Sequence, residues 1–256
     1  MAPYDVIGNV VLVKFPRDMS LKEKKRFGVR FLKEHSSVHT VLEKRGKISG
    51  RLRTPKTRWV VGVNTREALY RENGCEFRLN VDTCYFSPRL SSERLEIAKL
   101  VKKGERVLVM FGGVAPFAIV IAKTKKPKEV ISVELGKECN KYALENVKRN
   151  KLGDIVTCAQ GDVRKIVPAR QGTFDRIVMA RPNLKDNFLD VAFSAVEKSG
   201  TIHYYGFYEE DKVDEMKRMI ADEAKKAGKK VKILKVKKAG DIGFRKFRYR
   251  ADIKVY

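Results

Sequence analysis

The sequence predicts an α/β fold in which a mostly parallel sheet follows a small α+β domain. Three observations support this prediction. Strand-like and helix-like segments alternate regularly through the second part of the chain, and such alternation produces a parallel sheet with right-handed crossovers. The chain then ends in two strand-like segments with no helix between them. Its first part instead combines one amphipathic helix with several short strand-like segments.

The small α+β domain is predicted to span residues 1–84. Its helix should extend from Ser20 to His35 as a capped amphipathic helix. A turn-rich, basic stretch from Gly46 to Lys56 interrupts the strand-like segments. The predicted strands are Val6–Val13, Val38–Leu42, Trp59–Val63 and Glu76–Leu79.

The larger domain, residues 85–256, is predicted to begin with a helix from Ser91 to Val101 that Ser91 or Ser92 can cap. Strands and helices then alternate: strands Arg106–Met110, Val130–Val133, Ile155–Ala159, Arg176–Met179 and Thr201–Tyr205, with helices near Phe117–Lys123, Lys137–Asn150, Phe188–Val196 and Val213–Ala227. An antiparallel hairpin of Lys229–Lys237 and Tyr249–Val255 should close the sheet. Such a Rossmann-like sheet of seven strands is typical of class I S-adenosylmethionine-dependent methyltransferases and differs from nicotinamide-binding domains.

The composition points to a polyanionic partner. The 256-residue chain carries 56 lysine and arginine residues against 31 acidic residues, which gives a net charge of +25. A lysine-rich thermophile surface is the alternative, but such surfaces usually carry enough glutamate to form ion-pair networks, and here the acidic residues do not keep pace. Because 43% of the residues are hydrophobic, the chain can also bury a core. We therefore predict a folded protein that binds nucleic acid.

Other features of the sequence predict a cytoplasmic protein that uses neither a membrane nor a metal. No charged leader or long apolar span is visible. The four cysteines form no C-x-x-C pair, which is typical of reduced intracellular thiols. The three histidines are not spaced as a ligand cluster, so no metal site is predicted.

A nucleoside site is predicted where three successive strands end. The segment Val107–Phe117 runs from a strand into a helix through Gly112 and Gly113, which let the backbone turn closely around a ligand. About twenty residues later, Glu134 ends the next strand, where a Rossmann-like site needs an acid for the ribose hydroxyls. Asp162 follows the third strand and can hydrogen-bond the adenine amino group. Each acid alone is equally well explained as a helix cap, but the three features in register favour the nucleoside site.

Four segments carry a resemblance to a known family: YFSPRLSSER at Tyr85–Arg94, FGGVAPF at Phe111–Phe117, FDRIVM at Phe174–Met179 and TIHYY at Thr201–Tyr205. They resemble the archaeal and eukaryotic tRNA guanine-N1 methyltransferases that act at guanosine 37, and the related wybutosine-pathway aminocarboxypropyl transferases. The resemblance covers nearly the whole chain, and the first segment is the most specific. Arg89 resembles the methyltransferase branch, because the other branch tends to lose this arginine. The resemblance implies S-adenosylmethionine as cofactor and the anticodon stem-loop of tRNA as partner.

The same resemblance implies catalytic roles for two residues. Guanine N1 carries a proton, so a base must remove it before N1 can attack a methyl group. Glu93, in the FSPRLSSER segment, matches the family's general base. Arg53, in GRLRT, matches the arginine that supports the guanine as negative charge develops on it. Without the resemblance, Glu93 is better explained as an acid favoured in the first turn of a helix.

Further contacts are expected around these residues. Cofactor contacts are predicted for the glycines and acids named above and for Arg89, Phe111, Phe117 and Pro182. Substrate contacts are predicted for Tyr85, Phe86, Arg94 and Arg181, since a loop base must be splayed out to reach a methyl donor. Interdomain packing explains the two aromatic residues equally well. Phosphate contacts are predicted for Arg51, Lys56, Arg58 and the eight lysines from Lys225 to Lys238, although each alone is better explained as a solvated charge.

Three departures from the family pattern leave alternatives open. Val109 stands where the family usually has an acid, Ala115 where it has a glycine, and Ala180-Arg181-Pro182 where it has N-L-P. The main prediction is a monomeric tRNA methyltransferase acting on N1 of guanosine 37. The alternatives are an aminocarboxypropyl transferase that uses the same cofactor, and a non-catalytic RNA-binding protein on a decayed methyltransferase scaffold.

Overall fold

A computed structural model describes residues 2–49, 54–170, 172–181, 183–243 and 245–256. The chain divides into two compact units, Met1–Pro88 and Arg89–Tyr256, close to the predicted division after residue 84. None of the helices described is both long enough and apolar enough to cross a membrane.

The first unit combines a four-stranded sheet, a helix and a two-stranded hairpin. Its elements are β1 (Tyr4–Ile7), β2 (Val10–Val13), α1 (Leu21–Glu34), β3 (Thr40–Ser49), β4 (Thr54–Gly62), β5 (Glu67–Glu72) and β6 (Cys75–Asn80). The sheet order is β1-β2-β3-β4, with β2 and β3 parallel and the other neighbours antiparallel. The helix packs on β3 and β4 and buries a core that includes Phe31, Val41 and Val60. Ser20 caps α1 in a reciprocal capping box with Glu23, which confirms the predicted cap.

The single strand predicted from Val6 to Val13 is wrong, because a turn at Gly8 divides it into β1 and β2. Gly8 has a φ of +56°, and a Cβ there would lie 1.8 Å from the carbonyl oxygen of Leu69. Only glycine tolerates both the backbone conformation and so close an approach. The apolar run hides this turn, since Ile7 before it and Val10 after it are both buried apolar strand residues.

Two more expectations for the first unit are corrected by the structure. The basic stretch from Gly46 to Lys56 is not a turn throughout, because β3 continues to Ser49 and β4 begins at Thr54. β5 is absent from the predicted strands because charged residues interrupt its apolar pattern. An antiparallel ladder of six residue pairs joins it to β6, and Arg71 also forms a cross-strand ion pair with Glu76.

The second unit is a seven-stranded, mostly parallel sheet with helices. A 3₁₀ turn (Pro88–Leu90) precedes α2 (Ser91–Leu100), β7 (Arg106–Met110), α3 (Pro116–Lys125), β8 (Glu129–Glu134), α4 (Lys137–Arg149), β9 (Val156–Gln160), α5 (Val163–Ile166), β10 (Phe174–Met179), α6 (Leu189–Ala195), β11 (Val196–Glu209), α7 (Val213–Lys226), β12 (Val231–Gly243) and β13 (Lys246–Val255). The strand order is β12-β13-β11-β10-β7-β8-β9, and only the neighbours of β13 are antiparallel. The predicted parallel sheet with a terminal hairpin is therefore confirmed.

The order of this sheet places a crevice at the carboxyl ends of β7 and β10. The chain moves from β7 to β8 and β9 on one side, then returns to β10 and β11 on the other. In open α/β sheets, ligands bind where the strand order reverses in this way.

The predicted cap of α2 is wrong. Leu90 occupies the N-cap position without a side-chain hydrogen bond, and both predicted serines lie inside the helix. The 3₁₀ turn of Pro88–Leu90 leads directly into the first helical turn, so no serine takes the extended cap conformation.

β12 forms one edge of the sheet and is irregular. Its pairing with β13 shifts register three times: between Ile233 and Lys235, between Lys238 and Gly240, and between Asp241 and Gly243. Several of its side chains, among them Lys232, Lys235 and Lys238, are exposed.

Candidate active site

A tight glycine-containing turn follows β7 and begins the site. Phe111, Gly113 and Ala115 have φ values of 62°, 57° and 65°, so alternate residues adopt the left-handed conformation. A Cβ at Gly112 would lie 2.0 Å from Oγ of Ser132 on β8. The turn therefore packs its backbone directly against the neighbouring strand before α3 begins.

Glu134 at the end of β8 holds this turn from the side. One carboxylate oxygen accepts a hydrogen bond from the Gly113 backbone N–H at 2.7 Å, and the other accepts one from Gly136 at 2.7 Å. Burial raises the pKa of Glu134, and the backbone hydrogen bonds only partly oppose this shift. The backbone of Leu135 also hydrogen-bonds this carboxylate, so three of its four lone-pair directions are used and one remains for another donor, as a ribose hydroxyl would provide.

Asp162 lies at the end of the third neighbouring strand. The backbone N–H of Gly161 donates to the carbonyl of Glu134 at 2.8 Å, which brings the turn after β9 next to the end of β8. The side chain of Asp162 caps α5 by accepting from the N–H of Arg164 at 2.9 Å. The structure thus aligns the glycine turn, Glu134 and Asp162 along three adjacent strand ends, and Asp162 is a helix cap as well.

Aromatic rings lie beside this row. Phe111 and Phe188 make an edge contact with ring centroids 5.0 Å apart, and the guanidinium of Arg164 lies 4.9 Å from the Phe188 ring. Arg164 also forms ion pairs with Asp186 and Asp190. These contacts fasten the segment between β10 and α6 beside the glycine turn.

Arg181, a predicted substrate contact, is buried in that segment. It donates to the carbonyl of Leu184 at 2.6 Å and to the carbonyl of Asp186, and its guanidinium lies 5.7 Å from the Tyr204 ring. In this arrangement Arg181 supports the loop from within. Pro182, a predicted cofactor contact, lies outside the described residues.

Glu93, the predicted base, lies on α2 and is only 6% exposed. Its Oε1 accepts hydrogen bonds from the Tyr205 hydroxyl at 2.7 Å and from Arg250 Nη1 at 2.5 Å, while Oε2 lies 3.2 Å from Lys237 Nζ. Burial and then the Glu93 carboxylate raise the pKa of Tyr205 well above its usual value, so the phenol stays protonated and donates. Arg94 is also buried.

Phe117 joins this cluster to the start of α3. Its ring lies 6.0 Å from the Arg94 guanidinium and 6.0 Å from the Tyr205 ring. The structure therefore brings three predicted residues, Glu93, Arg94 and Phe117, into one neighbourhood.

Sequence reasoning missed the three partners of Glu93, which are Tyr205, Lys237 and Arg250. Tyr205 lies opposite Arg250 across β11 and β13, and Arg250 lies opposite Lys237 across β13 and β12. The sequence gives no signal of this arrangement, because charged and apolar residues alternate from residue 249 to residue 255, which is the pattern of a strand with one solvated face.

A buried chain of charged groups continues from Arg250 along the sheet. Arg250 donates to Asp252 at 3.1 Å, and Asp252 lies 2.6 Å from Nδ1 of His203. Nε2 of His203 lies 2.7 Å from Arg176, whose guanidinium makes two hydrogen bonds to Glu105. Because arginine can only donate, Nε2 accepts, and the proton of the neutral imidazole lies on Nδ1 facing Asp252.

The buried row of side chains from Arg250 to Glu105 predicts that the folding stability of the protein depends on pH. Burial lowers the pKa of His203, and the hydrogen bond to Asp252 only partly offsets this effect. A histidine with a depressed folded-state pKa favours folding above its unfolded value of about 6.5, and stability is lost as pH falls below it. We expect the free energy of unfolding in urea to fall between pH 7 and pH 5 by up to about 1.4 kcal/mol per pH unit.

The matched control for this measurement is His203→Gln, which removes the proton-binding group. Its unfolding free energy should be lower overall but flatter across the same pH interval. An equally steep fall in the variant would show that other groups cause the pH dependence.

The remaining predicted residues are placed as follows. Tyr85 is 42% exposed, whereas Phe86 is buried against Tyr70 and Phe77 within the first unit. Arg89 is exposed in the 3₁₀ turn before α2. Arg51 and Arg53 lie outside the described residues. Among the residues the structure describes, no three histidine, cysteine or acidic side chains are grouped as metal ligands.

The strand order, the glycine turn and the acids at successive strand ends define a class I S-adenosylmethionine-dependent methyltransferase fold. A family model described as the TRM5/TYW2 methyltransferase domain matches residues 68–234, and one described as the TYW2 N-terminal domain matches residues 2–65. The chain belongs to the TRM5/TYW2 methyltransferase family.

Three relatives show the range of this family. The tRNA (guanine(37)-N(1))-methyltransferase Trm5b of Pyrococcus abyssi is 35% identical over 98% of this chain and 74% of its own length, and its crystal structure matches with a TM-score of 0.88 at 34% identity over 99% of this chain and 74% of that chain. Taw22 of Nanoarchaeum equitans, named a tRNA (guanine(37)-N(1))/4-demethylwyosine(37)-methyltransferase, is 31% identical over 98% of both chains. A tRNA(Phe) (4-demethylwyosine(37)-C(7)) aminocarboxypropyltransferase of Methanocaldococcus jannaschii is 31% identical over 79% of this chain and 77% of its own.

Proposed function

We propose that this chain is a tRNA methyltransferase that transfers a methyl group from S-adenosylmethionine to N1 of guanosine 37. The observation that carries the proposal is the carboxylate of Glu134, which is bound to the backbone of the glycine turn at the switch point of the sheet. Relatives that cover most of this chain are named for this reaction.

The residues around the turn suit the nucleoside part of S-adenosylmethionine. Added side-chain atoms at Gly112 would clash with β8, so glycine there keeps the turn packed against the strand that carries Glu134. Glu134 would accept hydrogen bonds from the ribose hydroxyls, and Asp162 would bind the adenine amino group. The other proposed cofactor contacts are Phe111, Gly113, Phe117, Arg89 and Pro182. When bound, the cofactor supplies an electrophilic methyl group.

Two residues would act on the guanine. Glu93 would remove the proton of N1, which frees the nitrogen lone pair to attack the methyl group. Arg53 would stabilise the negative charge that develops on the base as the proton leaves. The proposed substrate contacts are Tyr85, Phe86, Arg94 and Arg181, of which Arg181 would have to act through the loop that it supports.

The product decides between this function and its rivals. Unmodified tRNA transcript and cofactor labelled in the methyl group would be incubated with the protein, and the nucleosides analysed by mass spectrometry. Labelled 1-methylguanosine from position 37 supports the proposal. A parallel reaction on tRNA that carries 4-demethylwyosine at position 37 tests the other branch of the family, which would leave an unlabelled aminocarboxypropyl adduct on that base. No product from either tRNA, although the protein binds both, would support the non-catalytic alternative.

We expect tRNA affinity to fall steeply with salt, because cations that neutralise phosphates release counterions. With about five phosphate contacts, the slope of log affinity against log salt should be about −4. Replacing the exposed lysines Lys232, Lys235 and Lys238 of β12 by glutamine should make the slope shallower by about 2. Fluorescence anisotropy with labelled tRNA measures both.

The control replaces Lys125, Lys126 and Lys128 by glutamine. These lysines are exposed before the amino end of β8, whereas the candidate site lies at the carboxyl ends of the parallel strands. These replacements remove the same charge but should leave the slope nearly unchanged. Equal effects of the two triple variants would show that net charge alone, and not the β12 edge, determines the salt dependence.

We further propose that the enzyme acts as a monomer in the cytoplasm on the anticodon stem-loop of its tRNA, without a metal ion. No disulfide joins the cysteines (Cys75, Cys84, Cys139 and Cys158), all of which the structure describes, and this suits a reducing compartment. Light scattering of the protein alone and with tRNA would test the oligomeric state. Activity that survives a chelator would support metal independence.

A further inference from the structure

The two oxygens of the Glu93 carboxylate are unequally occupied. Oε1 accepts from both Tyr205 and Arg250 at distances of 2.7 and 2.5 Å. A carboxylate oxygen offers two lone-pair directions, so these donors fill the capacity of Oε1. Oε2 has the longer, 3.2 Å contact with Lys237. That lysine is held more tightly by Glu96, to which it donates a short hydrogen bond.

Arg250 does not depend on Glu93 for its position. Its Nη2 donates to Glu96 at 2.7 Å and to Asp252 at 3.1 Å, and the residue is 1% exposed. Asp252 is fixed in turn by His203, which lies directly opposite it across β11 and β13. Two carboxylates therefore continue to compensate Arg250 when Glu93 is neutral.

Tyr205 is fixed by the same register. It lies opposite Arg250 in the β11–β13 ladder, so both side chains project from the same face of the sheet. Its hydroxyl and the Arg250 guanidinium thus approach Oε1 from neighbouring strands, whereas Glu93 comes from α2.

We propose that Tyr205 and Arg250 are positioning residues for Glu93, and that Oε2 of Glu93 is the atom that receives the guanine N1 proton. This inference rests on the proposed role of Glu93 as base. The N1–H bond would break as an O–H bond forms at Oε2. The N1 electron pair would form the new bond to the methyl group of S-adenosylmethionine as the methyl–sulfur bond breaks, and the electron pair of that bond would stay on the sulfur. Glu93 becomes neutral without leaving an uncompensated cation, because Glu96 and Asp252 stay paired with Lys237 and Arg250.

A structural network alone would predict something different. Removing one member would then lower the unfolding free energy, while the fraction of protein that remains folded would transfer methyl groups at the normal rate. A positioning role predicts a slower chemical step in fully folded protein. Rates of methyl transfer measured well below the melting temperature distinguish the structural role from the positioning role.

The first test is Tyr205→Phe, which removes one hydroxyl and keeps the ring. Under saturating tRNA and S-adenosylmethionine, the single-turnover rate should fall about tenfold, because a hydrogen bond to a charged group is lost. Affinities for both substrates should change less than twofold. Tyr249→Phe on β13 is the matched control, since it removes a hydroxyl from the neighbouring strand without touching Glu93, and it should leave the rate unchanged.

The pH profile gives a readout that a structural role would not move. The charged or titratable groups found around Glu93 are Tyr205 on β11, Arg250 on β13, Lys237 on β12 and, through the last two, Glu96 on α2. Loss of the Tyr205 hydroxyl removes a hydrogen bond to the Glu93 carboxylate and so destabilises its ionised form. The acidic limb of the rate profile should therefore shift to higher pH in Tyr205→Phe. An unshifted limb together with an unchanged rate would overturn the proposal.

A double-mutant cycle separates this inference from the proposed function. In a Glu93→Gln background, Tyr205→Phe should cause little further loss of rate, because the group that it positions is gone. If Glu93→Gln is slow and Tyr205→Phe slows it tenfold more, the positioning role fails and the base stands. If Glu93→Gln alone is nearly as fast as the natural protein, the proposed base itself fails. Arg250→Lys, which keeps a buried charge, should slow the natural protein and also lose its effect in the Glu93→Gln background.

Discussion

Glu93→Gln should lower the single-turnover rate of methyl transfer by about a hundredfold or more. Glutamine keeps the size of the side chain and one oxygen acceptor, but it cannot take a proton from guanine N1. Cofactor affinity should stay within about twofold, because the proposed nucleoside contacts come from the ends of β7, β8 and β9 and not from α2. Rapid-quench measurements with saturating tRNA and cofactor would show the effect. A rate close to that of the natural protein across neutral pH would contradict the assignment of the base.

Arg53→Ala extends this prediction to the charge on the guanine. If the arginine acts as charge grows on the base, its removal should depress the chemical step more than ground-state binding of tRNA. Arg53→Lys serves as the control because it keeps the charge but loses the planar fork, and it should recover part of the rate. A loss confined to tRNA affinity would instead identify Arg53 as a phosphate contact.

The second large effect is expected at Glu134. Glu134→Ala should weaken S-adenosylmethionine binding by about a hundredfold, because it removes the proposed ribose acceptor and also frees the N–H groups of Gly113 and Gly136 that shape the turn. tRNA affinity should be nearly unchanged. Isothermal titration calorimetry with the cofactor, paired with anisotropy for tRNA, would separate the two.

The same residue gives cofactor affinity a pH dependence. Burial raises the pKa of Glu134, so this carboxylate takes up a proton at a higher pH than an ordinary glutamate. The protonated form loses acceptor capacity, and affinity should therefore decline on acidification before most carboxylates titrate. The Asp162→Asn variant should keep this early decline, since its Glu134 is intact. A natural protein whose affinity is flat down to pH 4.5 would contradict the role of Glu134.

The general architecture could be predicted from the sequence because periodicity is a local property. Buried parallel strands such as β7 and β8 are mostly apolar runs. In amphipathic helices such as α4, buried residues recur every three or four positions. The turn at Gly8 escaped prediction because it depends on a close approach by Leu69, which is remote in the chain. β5 escaped because charged residues interrupt its apolar pattern, and it is defined by its antiparallel pairing with β6 along all six residues.

The candidate site likewise has one part that could be predicted from the sequence and one part that could not. The glycine turn, Glu134 and Asp162 could be predicted because each follows a strand, and parallel strands end at one edge. The surroundings of Glu93 could not, because Tyr205 and Arg250 are 112 and 157 residues away and meet it only through the β11–β13 register. Likewise, nothing in the spacing of Arg181 shows that its guanidinium turns inward to loop carbonyls.

The irregular pairing of β12 affects how copies of this protein meet one another. An exposed sheet edge offers unpaired N–H and C=O groups to any other strand, and long regular edges promote association between chains. Here three register shifts interrupt the ladder beside that edge, and Lys232, Lys235 and Lys238 place like charges along it. Two such edges cannot pair in a continuous register, and their charges repel. The lysines that we assign to RNA phosphates would thus also keep the free protein soluble, and light scattering of their triple glutamine variant should reveal a greater tendency to self-associate.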